Sequence, residues 1–173
     1  MMMKTFSGKD LLIEQQDFQQ ILIRGKGDGS FAEKVNKEIS LLPPSDNLRM
    51  VNDDNFIFAK QSFDQWILVC LEKKSDKEII NLISSLNKNE GILASDYSSA
   101  LYYEFTGENK NHYLNKLTHF DFRLKKFPVS TMAQTLIARV DCCIYNLKDK
   151  YLVTCHSSFK DYFNNRLKDT VEV

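Results

Sequence analysis

The sequence has no excess of charge of either sign and no long apolar run. Of its 173 residues, 23 are Lys or Arg and 23 are Asp or Glu, so the formal net charge is zero. A nucleic-acid-binding protein needs a basic field to displace counterions from phosphates, which a neutral chain lacks. No stretch reaches the roughly 18 apolar residues of a membrane-spanning helix, and residues 1–10 have no apolar core of a signal peptide. These absences predict a cytoplasmic protein that binds neither nucleic acid nor membrane.

The motifs of common catalytic, cofactor and metal sites are also missing. There is no C-x-x-C, no H-E-x-x-H and no G-x-S-x-G. The run Gly25 to Ser30 follows a predicted strand and precedes a predicted helix, but Ser30 stands where a dinucleotide fingerprint requires its last glycine. We interpret that run as a flexible turn and expect no catalytic residue, cofactor site or metal site in this chain. The cysteines are expected to be reduced thiols of a cytoplasmic protein; they are Cys70, Cys142, Cys143 and Cys155.

Hydrophobic periodicity divides the first half of the chain into six elements. Ser30 with Glu33, and Ser75 with Glu78, have the spacing of capping boxes that begin helices. The run from Trp66 is apolar at successive positions, which is typical of a strand buried on both faces. The predicted elements are a strand at 18–24, a helix from Ser30 to Pro43, strands at 47–52, 55–60 and 66–71, and a helix from Ser75 to about residue 87.

The second half repeats this plan after one additional strand. The predicted elements are strands at 91–96 and 101–106, a helix that includes Tyr113, an irregular stretch at 118–130, strands at 132–140, 142–147 and 151–156, and a helix from Ser157. Hairpins dominate and helices flank them, which favours an α+β fold with antiparallel sheets over a doubly wound fold. We predict one domain over residues 1–173, built from two halves at about 10–90 and 91–170, with residues 1–10 flexible.

Asp96 is the carboxylate whose setting admits a binding role. It ends a predicted strand and precedes Tyr97-Ser98. Facing a pocket, such a carboxylate could hold an amine or the N–H groups of a pterin, which would make Asp96 a folate-binding candidate. The alternative is an Asp that caps a turn by accepting hydrogen bonds from the next backbone N–H groups.

Aromatic residues are concentrated in the irregular stretch that precedes the strand at 132–140. Phe120, Phe122 and Phe127 lie there beside Lys125. This is more apolar area than a solvated loop usually contains, so these four residues form a candidate partner interface with Phe127 as an aromatic anchor. A solvated loop remains the alternative.

The same stretch resembles the signature of the sarcosine oxidase gamma subunit family, roughly C-P-L-D-L-x-P-x-x-F-P-P-G-x-C-A-Q-T-L. Asp121, Phe127, Pro128 and the run 133–136 (Ala-Gln-Thr-Leu) match it without a gap. Further pieces of the family pattern are matched in order at 63–69, 96–98, 105–107 and 158–162. Departures from the signature are found at Thr118, His119, Val129 and Ser130, and an Arg usual between the second and third of these pieces has no clear counterpart.

The resemblance implies a fold similar to the folate-binding domain of the glycine-cleavage T protein, which is a duplication with leading strands exchanged between interlocked halves. It also implies a non-catalytic gamma subunit that stabilises a heterotetramer with alpha, beta and delta subunits. Such a complex demethylates sarcosine to glycine and produces hydrogen peroxide, with formaldehyde or methylene-tetrahydrofolate as the one-carbon product. FAD, FMN, NAD, zinc and tetrahydrofolate would belong to the partner subunits. The rival hypothesis is a free-standing folate-binding protein similar to an aminomethyltransferase, in which Asp96 would hold the folate.

Overall fold

The computed structural model describes residues 3–172, and Met1 and Met2 lie outside the described residues. Eleven strands and four α-helices occur within that range. The strands are β1 Thr5–Gly8, β2 Leu11–Gln16, β3 Gln19–Arg24, β4 Met50–Asn52, β5 Phe56–Ser62, β6 Gln65–Cys70, β7 Leu93–Asp96, β8 Ala100–Thr106, β9 Met132–Ile137, β10 Val140–Asn146 and β11 Lys150–His156. The helices are α1 Gly29–Ile39, α2 Asp76–Asn87, α3 Lys110–Leu114 and α4 Lys160–Glu172, the last preceded by a 3-10 turn at Ser157–Phe159.

The chain divides into two compact units. Within the described residues, one contains residues 3–17 and 99–172, and the other contains residues 18–98. Each unit has one antiparallel sheet with helices, so the predicted α+β class with antiparallel sheets is confirmed. The division into a single domain of two halves, and the flexibility of residues 1–10, stay predictions.

The unit of residues 18–98 has a five-stranded sheet in the order β4-β5-β6-β3-β7. Phe31, Val35 and Ile39 recur at helical spacing along α1 and join Ile79 and Leu86 of α2 in one core with the sheet. Burying such side chains contributes about 1.5–3 kcal/mol each. Strand β6 is buried on both faces, with every residue from Trp66 to Cys70 at most 3% exposed, as its continuous apolar run predicts.

The other unit has a six-stranded sheet in the order β1-β2-β8-β11-β10-β9. Its core combines apolar side chains of the sheet with Phe163 and Leu167 of α4 and with Phe122 and Phe127 of the irregular stretch. Strands β1 and β2 were not predicted. Strand β1 is half exposed at the sheet edge and shows no continuous apolar pattern, and in β2 only Leu11 and Ile13 are fully buried.

The leading strand of each predicted half pairs in a way that sequence order does not reveal. Strand β7, which leads the second half, pairs with β3. Strand β2, which lies at the start of the first half, pairs with β8 of the second half. This exchange of leading strands is the interlocked arrangement that the family resemblance implied.

Two local predictions were wrong. The capping box of Ser30 with Glu33 does not form, because Asp28 caps α1 by accepting a hydrogen bond from the Phe31 N–H at 2.9 Å. The predicted strand at 132–140 ends at Ile137, because Ala138 and Arg139 have φ values of 51° and 65° and form a two-residue hairpin turn to β10. The capping box of Ser75 with Glu78 is confirmed, with both of its hydrogen bonds present.

Candidate functional site

The irregular stretch between α3 and β9 is held to its own unit by backbone and side-chain hydrogen bonds. At its start the carbonyl of Leu117 accepts from the Ala138 N–H at 2.8 Å. At its end the buried Asn146 side chain donates to the Phe127 carbonyl at 2.8 Å, and the Ser130 N–H donates to the Asn146 carbonyl at 3.0 Å. These hydrogen bonds fix both ends of the irregular stretch, so its central residues have a defined conformation.

The aromatic residues of this stretch pack around Tyr151 of β11. The ring centroids of Phe122 and Phe127 lie 5.6 and 5.7 Å from that of Tyr151, and Phe120 lies edge-on to both phenylalanines at 5.0 and 5.1 Å. Phe122 and Phe127 are 4% and 1% exposed, and Phe120 is half-buried. Phe127 therefore does not project as an exposed anchor, since it fills the core of its own unit.

Residues 123–126 form an exposed tip in the middle of the stretch. Leu124 is 66% exposed, and Arg123, Lys125 and Lys126 are exposed beside it. Arg123 forms a two-point ion pair with Asp121, with N–O distances of 2.6 to 3.0 Å. Hydrogen bonds from Arg123 hold the pKa of Asp121 down to about 2. The tip therefore displays an apolar side chain between cationic ones, and of the predicted interface residues only Lys125 belongs to it.

Asp96 lies at the exposed end of β7 and caps the turn that follows. Its Oδ1 accepts hydrogen bonds from the Ser98 N–H at 3.0 Å and from the Ser98 hydroxyl. The Tyr97 N–H donates to the carbonyl of Gln20 on the neighbouring strand β3. This geometry is that of the turn-capping alternative, and folate binding by Asp96 stays a prediction.

The glycine-rich run forms the connection between β3 and α1, where a cavity of about 190 Å³ opens between residues 26–34 and 90–91. Gly27 has a φ of 69°, a conformation that favours glycine. Because the Asp28 carboxylate already caps the helix here, a phosphate at this end of α1 would meet a negative charge. The arrangement does not fit a dinucleotide site.

The histidines are exposed and belong to different elements. His112 lies on α3, His119 lies in the irregular stretch, and His156 caps the turn into α4 by accepting from the Ser158 N–H at 3.2 Å. Within residues 3–172, no group of three or more His, Cys, Asp or Glu side chains is placed to hold a metal ion. None of the helices in that range has the length and apolar character needed to cross a bilayer.

Sequence reasoning missed the two residues that position the aromatic stretch. Tyr151 supplies the ring that Phe122 and Phe127 pack against, and Asn146 supplies the buried amide that fixes the Phe127 carbonyl. Both residues lie on strands distant in sequence from the loop. The available signal was Asn146, which follows the apolar run 142–145 and by itself predicts a turn.

Comparison with known sequences gives one match over most of the chain. The sequence model of the sarcosine oxidase, gamma subunit family matches residues 24–172. No curated protein gives a significant match to the sequence.

Comparison with solved structures finds the same fold in proteins of very different sequence. A chain of the heterotetrameric sarcosine oxidase from Corynebacterium sp. U-96 superposes with a TM-score of 0.80 and 14% identity, covering 97% of this chain and 87% of that one. The aminomethyltransferase T of the glycine cleavage system from Bartonella henselae gives 0.63 and 10% identity, covering 87% of this chain and 43% of that one. The regulatory subunit of aspartate kinase from Thermus thermophilus gives 0.53 and 11% identity, covering 96% and 99%. At these identities the likeness establishes the fold alone.

Proposed function

This chain belongs to the sarcosine oxidase gamma subunit family, and from that membership we propose that it is the gamma subunit of a heterotetrameric sarcosine oxidase, where it stabilises the assembly without contributing a catalytic residue. The observation that carries the proposal is the family match over residues 24–172. The superposition on a chain of a heterotetrameric sarcosine oxidase over 97% of this chain supports it.

The proposed complex oxidatively demethylates sarcosine to glycine and releases hydrogen peroxide, with formaldehyde or methylene-tetrahydrofolate as the one-carbon product. We assign FAD, FMN, NAD, zinc and tetrahydrofolate to the alpha, beta and delta subunits, in the cytoplasm. Two carboxylates favour this assignment. Asp96 already accepts hydrogen bonds from Ser98, which makes it less available to a folate, and Asp28 caps α1, where its charge would repel a phosphate.

We assign partner contact to the tip of the aromatic stretch, residues 123–126. Its conformation is fixed from within the unit by the buried rings of Phe122 and Phe127, so little conformational entropy is lost when it docks. Leu124 supplies the apolar contact, and Lys125 and Lys126 complement an acidic rim. Phe120, Phe122 and Phe127 support this tip from inside the unit.

Co-purification tests the proposed function. The chain is tagged and expressed together with the genes that adjoin its own. A flavin-absorbing complex that elutes in fixed stoichiometry and oxidises sarcosine supports the proposal. Elution of the chain alone and colourless contradicts it.

A pair of matched variants tests the proposed interface. Leu124→Asp places a charge in the contact, and we expect the yield of complex to fall at least tenfold. Ile80→Asp changes an equally exposed apolar residue of α2, 60% exposed against 66%, and should leave the yield unchanged. Equal yields for the two variants would remove the tip from the interface.

The second candidate function is folate binding by this chain alone, which the structural similarity to aminomethyltransferase T supports. Titration of the isolated chain with tetrahydrofolate distinguishes the two. Micromolar binding that is lost in Asp96→Ala supports an aminomethyltransferase-like protein. No binding up to millimolar folate leaves the subunit proposal as the explanation of the family match.

A further inference from the structure

Two of the four cysteines face each other across neighbouring strands. Cys142 of β10 and Cys155 of β11 are direct register partners in the antiparallel ladder. Both are 4% exposed and belong to the same core cluster. Cys143 is the register partner of Thr154 and points to the opposite face of the sheet, and Cys70 lies in the other unit.

The hydrogen-bond alternation of the ladder brings these two side chains close together. The Leu147 N–H donates to the Lys150 carbonyl at 3.0 Å, which makes Leu147 and Lys150 a hydrogen-bonded pair. Counting along the uninterrupted register, Cys142 and Cys155 form a non-hydrogen-bonded pair. Such pairs have Cα atoms about 4.5 Å apart, within the range of about 4.4 to 6.8 Å that a disulfide spans. A bond between the two sulfurs therefore needs no rearrangement of the backbone.

The two thiols interact and differ in acidity. A hydrogen bond from Cys142 lowers the pKa of Cys155 against the opposing effect of burial. The same contact, together with burial, raises the pKa of Cys142. Because the two thiols lie side by side, the sulfur that reacts first with an oxidant has the second thiol next to it.

We propose that Cys142 and Cys155 are a peroxide-oxidised thiol pair that closes to an intrachain disulfide. The sulfur of one cysteine attacks one oxygen of hydrogen peroxide, the O–O bond breaks, and water leaves as that cysteine becomes a sulfenic acid. The sulfur of the other cysteine then attacks the sulfenic acid sulfur and displaces the hydroxyl group, which takes the proton of the attacking thiol and leaves as a second water. Two thiols are oxidised to one disulfide, and one peroxide is reduced to two waters. Only the source of the peroxide rests on the proposed function.

The burial of both thiols determines how the reaction proceeds. Peroxide reaches them when the core face of β10 and β11 opens locally, so closure of the disulfide should be slower than oxidation of an exposed thiol. The link joins strands that are already paired in the native state. It therefore acts mainly by restricting the unfolded chain, and the oxidised protein should unfold at a higher denaturant concentration.

The test uses the full-length reduced chain with added hydrogen peroxide, followed by thiol blocking and non-reducing peptide mapping. We expect a disulfide-linked peptide pair containing Cys142 and Cys155, loss of two of the four free thiols, and full reversal by a dithiol reductant. Cys143→Ser should form the same link at the same rate, whereas Cys155→Ser should form none.

Either of two results would overturn the proposal. One is oxidation of Cys143 or Cys70 without any link between Cys142 and Cys155. The other is a link that appears only in denaturant, since that would show that the native ladder does not allow it. The wild-type map decides the matter even if a serine variant folds poorly. The test does not need the partner subunits. Absence of the disulfide from the peptide map therefore does not bear on the proposed function, and a failed co-purification does not bear on the disulfide.

Discussion

Replacing Phe127 by Ala separates a core role of this residue from an interface role. Phe127 is 1% exposed and its ring contacts those of Phe120 and Tyr151 at centroid distances of 5.1 and 5.7 Å. Removing a buried phenylalanine ring costs about 3–5 kcal/mol through lost burial and the cavity left behind. With a urea dependence of about 2 kcal/mol per molar, the unfolding midpoint of Phe127→Ala should fall by about 1.5–2.5 M.

The assay is urea unfolding followed by far-UV circular dichroism, which reports on both units, whereas the fluorescence of Trp66 reports on residues 18–98. Leu124→Ala is the matched control in the same loop, and because Leu124 is 66% exposed its free energy of unfolding should change by less than about 0.5 kcal/mol. A Phe127→Ala protein with unchanged stability and lost complex formation would refute this reasoning. It would return Phe127 to the interface as the anchor that the sequence suggested.

Three further outcomes are expected from local features. Ser75→Ala removes the capping box of α2 and should lower the free energy of unfolding by about 1 kcal/mol, while Ser84→Ala on the exposed side of the same helix should not lower it in the same urea titration. Arg123→Gln should raise the pKa of Asp121 from about 2 toward the ordinary 3.8, as followed by NMR of the carboxyl carbon. Because the folded-state pKa of Asp121 is depressed, its contribution to stability is present above about pH 4 and is lost as pH falls toward 2. An unchanged titration curve of Asp121 in Arg123→Gln would contradict the ion pair. Gly107→Ala should unfold at a markedly lower urea concentration than the wild type. Gly107 has a φ of 106°, and a methyl group there would meet the backbone of the turn between β1 and β2. A free energy of unfolding within about 0.5 kcal/mol of the wild type, the spread expected for a surface change, would exclude that clash.

Burial of the aromatic stretch explains why the sequence alone could not distinguish core rings from interface rings. Phe120, Phe122 and Phe127 have the composition of an anchor surface, and composition does not distinguish a ring that meets a partner from a ring that meets a distant strand. The distinction depends on Tyr151, which lies 24 residues beyond Phe127 and approaches it only when β11 enters the sheet. The exposed tip is only four residues long (123–126), and its exposure becomes evident only once the positions of the neighbouring rings are known.

The sequence by itself determined the local elements whose signals are contained within a few residues. The capping box of Ser75 with Glu78, the period of α1 and the doubly buried strand β6 were all predicted, because hydrogen bonds and side-chain periodicity within one turn or one strand encode them. The sequence also identified the family, through ordered matches along the chain.

Only the tertiary structure decided which strands pair, which residue caps α1 and which aromatic rings are buried. The pairing of β2 with β8 and of β3 with β7 joins residues 69 to 94 positions apart. Nothing in a local pattern specifies such partners, because their free energy comes from the assembled sheet. The same holds for Cys142 and Cys155, whose apposition follows from the register of one hairpin and whose burial follows from the core that closes over it.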